Sequence, residues 1–115
     1  MSDRIPESWG CDSQVHSLRI ELSPDKSISL PYDQLVFWEL ERDDAGQCLR
    51  LVFVTHEVLL RGNYLKRVDM AVQKRDLSFV AKAPEYYQSQ LVENQPMIRE
   101  IVVTELKPKP PPQSN

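Results

Sequence analysis

Residues 48–75 read Cys48-Leu-Arg-Leu-Val-Phe-Val54, Thr55-His56, Glu57-Val-Leu-Leu-Arg61, Gly62-Asn63 and Tyr64-Leu-Lys-Arg-Val-Asp-Met-Ala-Val-Gln-Lys-Arg75, and the spacing of their apolar positions changes partway. Before Gly62 the apolar residues are crowded and rich in Val and Leu, as in β-strands. Thr55 and His56 read as a tight hairpin turn, with one long bent strand as the open alternative. Beyond Gly62 the period lengthens. At 100° per residue, Tyr64, Leu65, Val68, Ala71 and Val72 occupy about a third of a helical wheel, enough to dock on a sheet. Asn63 is the expected N-cap, because its side-chain oxygen can accept from an orphan amide one turn ahead. The spacing predicts a helix over about 63–75, with Lys74 and Arg75 at the negative pole of its dipole.

Upstream, His16-Ser-Leu18-Arg-Ile20-Glu-Leu22 alternates strictly, so Leu18, Ile20 and Leu22 share one strand face. Ser23-Pro24-Asp25-Lys26 carries turn chemistry, and Ile28 and Leu30 resume the alternation up to Pro31. Leu35-Val-Phe-Trp-Glu-Leu40 is apolar on both faces, and Asp43-Asp-Ala-Gly46 forms a second turn. Downstream, Leu77-Ser-Phe-Val-Ala81 and Met97-Ile-Arg-Glu-Ile-Val-Val-Thr-Glu-Leu106 read as further strands. Pro84 to Leu91 reads as one short helix. The order of elements gives an α+β class. The expected architecture is a small curved antiparallel sheet or partly open barrel of about five to seven strands with one docked helix. Residues 1–14, polar and aperiodic, read as a flexible arm. Residues 107–115, with four of the nine prolines, read as an extended Pro-rich tail, which leaves 15–106 as a single α+β domain.

A chain of 115 residues has room for one such domain. No apolar run reaches the roughly 18–20 residues a bilayer-spanning helix needs. The first residues lack a basic region followed by an apolar stretch, so no secretory signal is expected. Two cysteines are too few for a disulfide scaffold, and a reducing cytoplasmic location is the expectation.

Chemistry-bearing motifs are sparse. Cys11, His16, Cys48 and His56 each stand alone, without the spacing that converges ligands on a metal, so neither metal nor cofactor is expected. His56-Glu57 lacks the second histidine of a zinc-protease motif. Three glycines cannot build phosphate-cradling loops, and no nucleophile elbow occurs. Glu39 and Glu41, two apart on one strand face, are the pair best placed for acid–base work, yet carboxylates there commonly face water. Cys48, opening an apolar run, reads as a small hydrophobe. No enzymatic function is expected. Tyr86-Tyr87 reads as one buried and one exposed ring on a capping helix, and the P-x-x-P match at Pro108–Pro111 as part of a tether.

Charge is unevenly distributed. Residues 1–60 carry five basic and eleven acidic side chains, whereas residues 61–82 carry six basic ones against Asp69 and Asp76. On the wheel, Lys66, Arg67, Met70 and Lys74 lie opposite the apolar stripe. That basic face can meet phosphates, or an acidic protein surface such as Glu39 and Glu41 of a second copy. Nucleic acid is the weaker expectation, because no aromatic residues interleave the basic ones for stacking. Trp38 is a candidate interface anchor, with burial in a small barrel as the alternative. The sequence therefore points to a module that binds another protein or itself, through Trp38, Glu39, Glu41, Lys66, Arg67, Met70 and Lys74.

Overall fold

A computed structural model describes residues 8–88 and 94–106, with backbone alone at 86 and 87. Alternation produces the strands where expected: Leu49, Leu51 and Phe53 of one strand, and Val58 and Leu60 of the next, are fully buried. In chain order the strands are β1 (Trp9–Cys11), β2 (Ser17–Ser23), β3 (Lys26–Pro31), β4 (Leu35–Asp43), β5 (Gly46–Phe53), β6 (His56–Asn63), β7 (Leu77–Ala81) and β8 (Met97–Glu105). Helix α1 (Lys66–Gln73) lies between β6 and β7, and a single turn, α2 (Glu85–Gln88), between β7 and β8.

The eight strands form two four-stranded sheets and no closed barrel, which corrects the single curved sheet of five to seven strands. Sheet one has the order β1-β7-β2-β3 and sheet two the order β4-β5-β6-β8. Sheet two is wholly antiparallel, whereas sheet one is mixed: β2 and β7 run parallel, with Arg19 beside Phe79 and Ile20 beside Val80. The chain changes sheets at Pro31 and the 3-10 turn Tyr32–Gln34 that follows it. Proline lacks an amide to extend the β2–β3 ladder, so the strand stops there and the next begins in another sheet. Val54 and Thr55 form the bend between β5 and β6, so the hairpin is the outcome rather than one long strand.

One buried cluster joins both sheets and the helix: Leu18, Ile20 and Leu30 from sheet one, five side chains of β5 and β6, and Leu65, Val68, Ala71 and Val72 at α1. Each fully buried Leu or Val contributes on the order of 1.5–3 kcal/mol. No helix among the described residues is long and apolar enough to cross a membrane.

The helix is shorter than expected at both ends. Asn63 does not cap it: it stays in β6, and its Oδ1 accepts from Arg99 Nε at 2.8 Å. The orphan amide of Leu65 instead donates to Gln47 Oε1 of β5 at 2.6 Å. Gly62 continues the strand through a bulge opposite β8, where a Cβ would run into the Met97 carbonyl, so the position admits glycine alone. At the far end the Arg75 amide donates to the Val72 carbonyl and the Asp76 amide to the Ala71 carbonyl, with Arg75 left-handed at φ 56°. This is a Schellman cap built on arginine where glycine is the usual occupant.

The stretch expected as a flexible arm is partly structural, since Trp9–Cys11 pair with β7. The β7 edge had amides and carbonyls to satisfy, a demand that hydropathy does not reveal. The 107–115 tail and the tyrosine side chains at 86 and 87 lie outside the described residues.

Arg75→Gly should raise stability by about 0.5–1 kcal/mol, the relief of left-handed strain exceeding the entropy added to the unfolded chain. Urea unfolding should show a higher midpoint at unchanged slope; a lower midpoint would mean that the Arg75 side chain makes compensating contacts.

Candidate functional site

Pairing registers place Phe37, Glu39 and Glu41 of β4 on the solvent side of sheet two, beside Val52, Arg50 and Cys48 of β5 respectively. Glu57, Leu59 and Arg61 of β6 continue the rows, followed by Thr104, Val102 and Glu100 of β8. Arg50 occupies the middle of this face. Its Nε donates to Glu57 Oε2 at 2.8 Å, an Nη to Glu39 Oε1 at 3.2 Å, and its guanidinium stacks over the Phe37 ring at 5.4 Å. These hydrogen bonds, Glu57 first, hold the guanidinium charge more firmly than usual. Arg61 lies 3.5 Å from Glu100 and 3.9 Å from Asp43. The Cys48 thiol between Glu41 and Arg61 is pushed up mainly by burial, in keeping with a packing role.

At one corner the face turns apolar. Val36 and Val54 are each 61% exposed and Phe37 42%. They are neighbours: a bulge between Leu35 and Phe37 brings two successive residues outward, and the Val54 amide donates to the Gln34 carbonyl at 2.8 Å. Each was visible in the sequence as an apolar residue, but their adjacency depends on register and bulge.

Trp38 points the other way, as successive strand residues must. Its indole packs against the core, and Nε1 donates to Asp69 Oδ1 of α1 at 2.8 Å. It is a strap between sheet two and the helix rather than a free anchor. The seven residues singled out by sequence therefore do not form one surface. Glu39 and Glu41 lie on the outer face of sheet two, and Trp38 is turned towards α1. Lys66, Arg67, Met70 and Lys74 are all exposed on the helix.

The helical group does assemble with residues that sequence reasoning left in the arm. Arg67 stacks over the Trp9 indole at 5.5 Å, and a cleft of about 190 Å³ is lined by Trp9, Cys11, Arg67, Met70, Lys74 and Asp76. Among the described residues neither Lys66, Arg67 nor Lys74 makes an ion pair, and Asp76 Oδ1 is buried without a hydrogen-bond partner. Burial first, and the Asp76 carboxylate second, push the Cys11 thiol above its ordinary range, so at neutral pH it is a protonated, weakly nucleophilic thiol. A negative charge beside a thiol is the opposite of what a nucleophilic cysteine needs.

Two outcomes check these placements. Trp38→Phe keeps most of the packing but strands Asp69 Oδ1, and should lower unfolding stability by about 1–2 kcal/mol; an unchanged urea midpoint would show the strap to be idle. Alkylation of Cys11 at pH 8, followed by peptide mass spectrometry, should be severalfold faster in Asp76→Asn, because removing the carboxylate raises the thiolate fraction. An equal or slower rate would remove Asp76 as a cause. Comparisons with protein-family models, with curated proteins and with solved structures each found no match to this chain.

Proposed function

We propose that this chain is a non-enzymatic protein-interaction module that meets its partner protein on the outer face of sheet two. The observation that carries this reading is the contiguous corner of Val36, Phe37 and Val54 on an open sheet face. Single exposed apolar residues are ordinary, but a contiguous set on a sheet is what interfaces use. The rest of that face supports covering. Arg50, Glu39, Glu57, Arg61 and Glu100 already satisfy one another, so a partner need not supply the opposite charges. Isolated pairs of this exposure contribute at most about 1 kcal/mol to stability. Two free cysteines, Cys11 exposed, accord with the reducing cytoplasm as the setting.

A second reading has its own observation. Arg67 stacked on Trp9, with Lys66 and Lys74 free of ion pairs among the described residues, is an anion-binding surface suited to a phosphate-bearing partner such as nucleic acid.

Capture from nuclease-treated native lysate separates the two. The wild-type chain should retain a stoichiometric protein that Phe37→Ser/Val54→Ser loses about tenfold or more. The thermal midpoint should stay nearly unchanged, since both sites face solvent. Equal capture by both chains would refute the sheet face as the site. A nuclease-sensitive load abolished by Arg67→Glu/Lys74→Glu would transfer the function to the helix.

A further inference from the structure

Four strands of the fold lie at sheet edges: β1, β3, β4 and β8. An open edge presents unpaired amides and carbonyls, and natural edges are blunted by shortness, proline or charge. Strand β1 has three residues, and β3 ends in Pro31. Strand β4 is long, but pairing it with its own copy about Leu40 sets Glu39 against Glu41. Strand β8 is equally long, has no proline, and pairs on one side only among the described residues.

The direction of its free groups follows from one hydrogen bond. The Leu106 amide donates to the Thr55 carbonyl at 2.8 Å, towards β6. Backbone groups alternate in direction along a strand, so Val102 and Thr104 also face β6, while Ile101, Val103 and Glu105 turn their amides outward. Only the Ile98 end of that edge is occupied, by the Ala83 amide donating to the Ile98 carbonyl at 2.8 Å.

We infer that β8 pairs antiparallel with β8 of a second copy about a two-fold axis through Val102, giving a continuous eight-stranded sheet. This rests on the interaction-module reading and names one partner for it, the chain itself. In that register Ile101 lies opposite Val103 of the second copy and exchanges both backbone hydrogen bonds with it, because both residues face outward. Val102 meets Val102 on the outer face, where it is 38% exposed. Arg99 falls opposite Glu105, twice over by symmetry, and both lie on the inner side with Ile101 and Val103. A two-fold axis that keeps the two sheets face-continuous must pair residues of the same face. Among such registers, centring on Ile101 puts Arg99 opposite Val103 and centring on Val103 puts Ile101 opposite Glu105. The axis at Val102 alone matches charge to charge and apolar to apolar. Arg99 and Glu105, which would repel most other strands, thus select this one.

Sedimentation over a concentration series of the full chain, with Arg99→Glu, Glu105→Arg and the double variant, tests this. The wild type should dimerise. Each single reversal should raise the dimer dissociation constant about tenfold or more, and the double variant should recover to within about threefold of wild type. Because Arg99 also donates to Asn63, folding of each variant is checked by its thermal midpoint; the exposed Glu105→Arg carries the test if Arg99→Glu is destabilised. Hydrogen exchange supplies a readout free of substitution: the Ile101, Val103 and Glu105 amides should gain protection with rising concentration, while Val102 and Thr104 stay protected throughout. A chain monomeric at every concentration, a dimer indifferent to Glu105→Arg, or a dimer whose Ile101 and Val103 amides exchange freely would each overturn the pairing. If the monomeric chain still captures a protein that Phe37→Ser/Val54→Ser releases, the self-pairing is wrong and the interaction module stands.

Discussion

Arg19, Ile20 and Glu21 of β2 lie in parallel register beside Phe79, Val80 and Ala81 of β7, and parallel neighbours cannot be joined by a turn. Everything between them in the chain is, topologically, their connection: β3, the whole β4–β5–β6 meander and α1. The meander becomes the core of a second sheet and α1 brings the chain back. The buried Tyr32 hydroxyl secures the return, donating to the Leu77 carbonyl at 2.6 Å where β7 begins. Burial raises its acidity constant well above the ordinary tyrosine range, so the phenol stays a donor at any physiological pH.

The polar contacts that matter most are those that cross between layers. Tyr32 to Leu77, Trp38 to Asp69 and Gln47 to Leu65 each link elements far apart in sequence, and each is at least partly shielded from water. The outer ion pairs centred on Arg50 and Arg61 are wet and weak, and their effect is to keep the open face neutral where it would otherwise be charged. Stability and surface character are thus carried by different residues. Most of the outer face of sheet two can change without loss of the fold, whereas the inner rows cannot.

Local structure was largely legible in the sequence. The helix stripe at Leu65, Val68, Ala71 and Val72 and the turn at Asp43–Gly46 follow from period and turn chemistry, and Ala45 donates to Asp43 Oδ1 as such a turn requires. The strands that sequence missed or misassigned depend on distant partners. β1 exists because β7 has an edge, and two sheets replace one because Pro31 ends a ladder. Asn63 looked like a helix cap and became a strand residue bound to Arg99, since the bulge at Gly62 extends β6 past it. For the candidate site, residue types were legible but facing was not. Trp38 and its neighbours Phe37 and Glu39 read as one patch, and the pleat sends them to opposite sides. Trp9 joined the basic cleft only once β1 was placed.

The parallel pair also sets a timetable. As the chain emerges from its N-terminus, β2 and β3 can form a hairpin and β4, β5 and β6 a meander, each from neighbours in sequence. The apolar rows of both remain uncovered at that stage, because β7 and β8, which widen the two sheets, come last. Long-range pairing of this kind is slow, so there is an interval in which Leu18, Ile20, Leu49 and Leu51 stand unprotected. The protein's exposure to misassembly is therefore greatest during synthesis, and it ends when the segment from Leu77 onward is available.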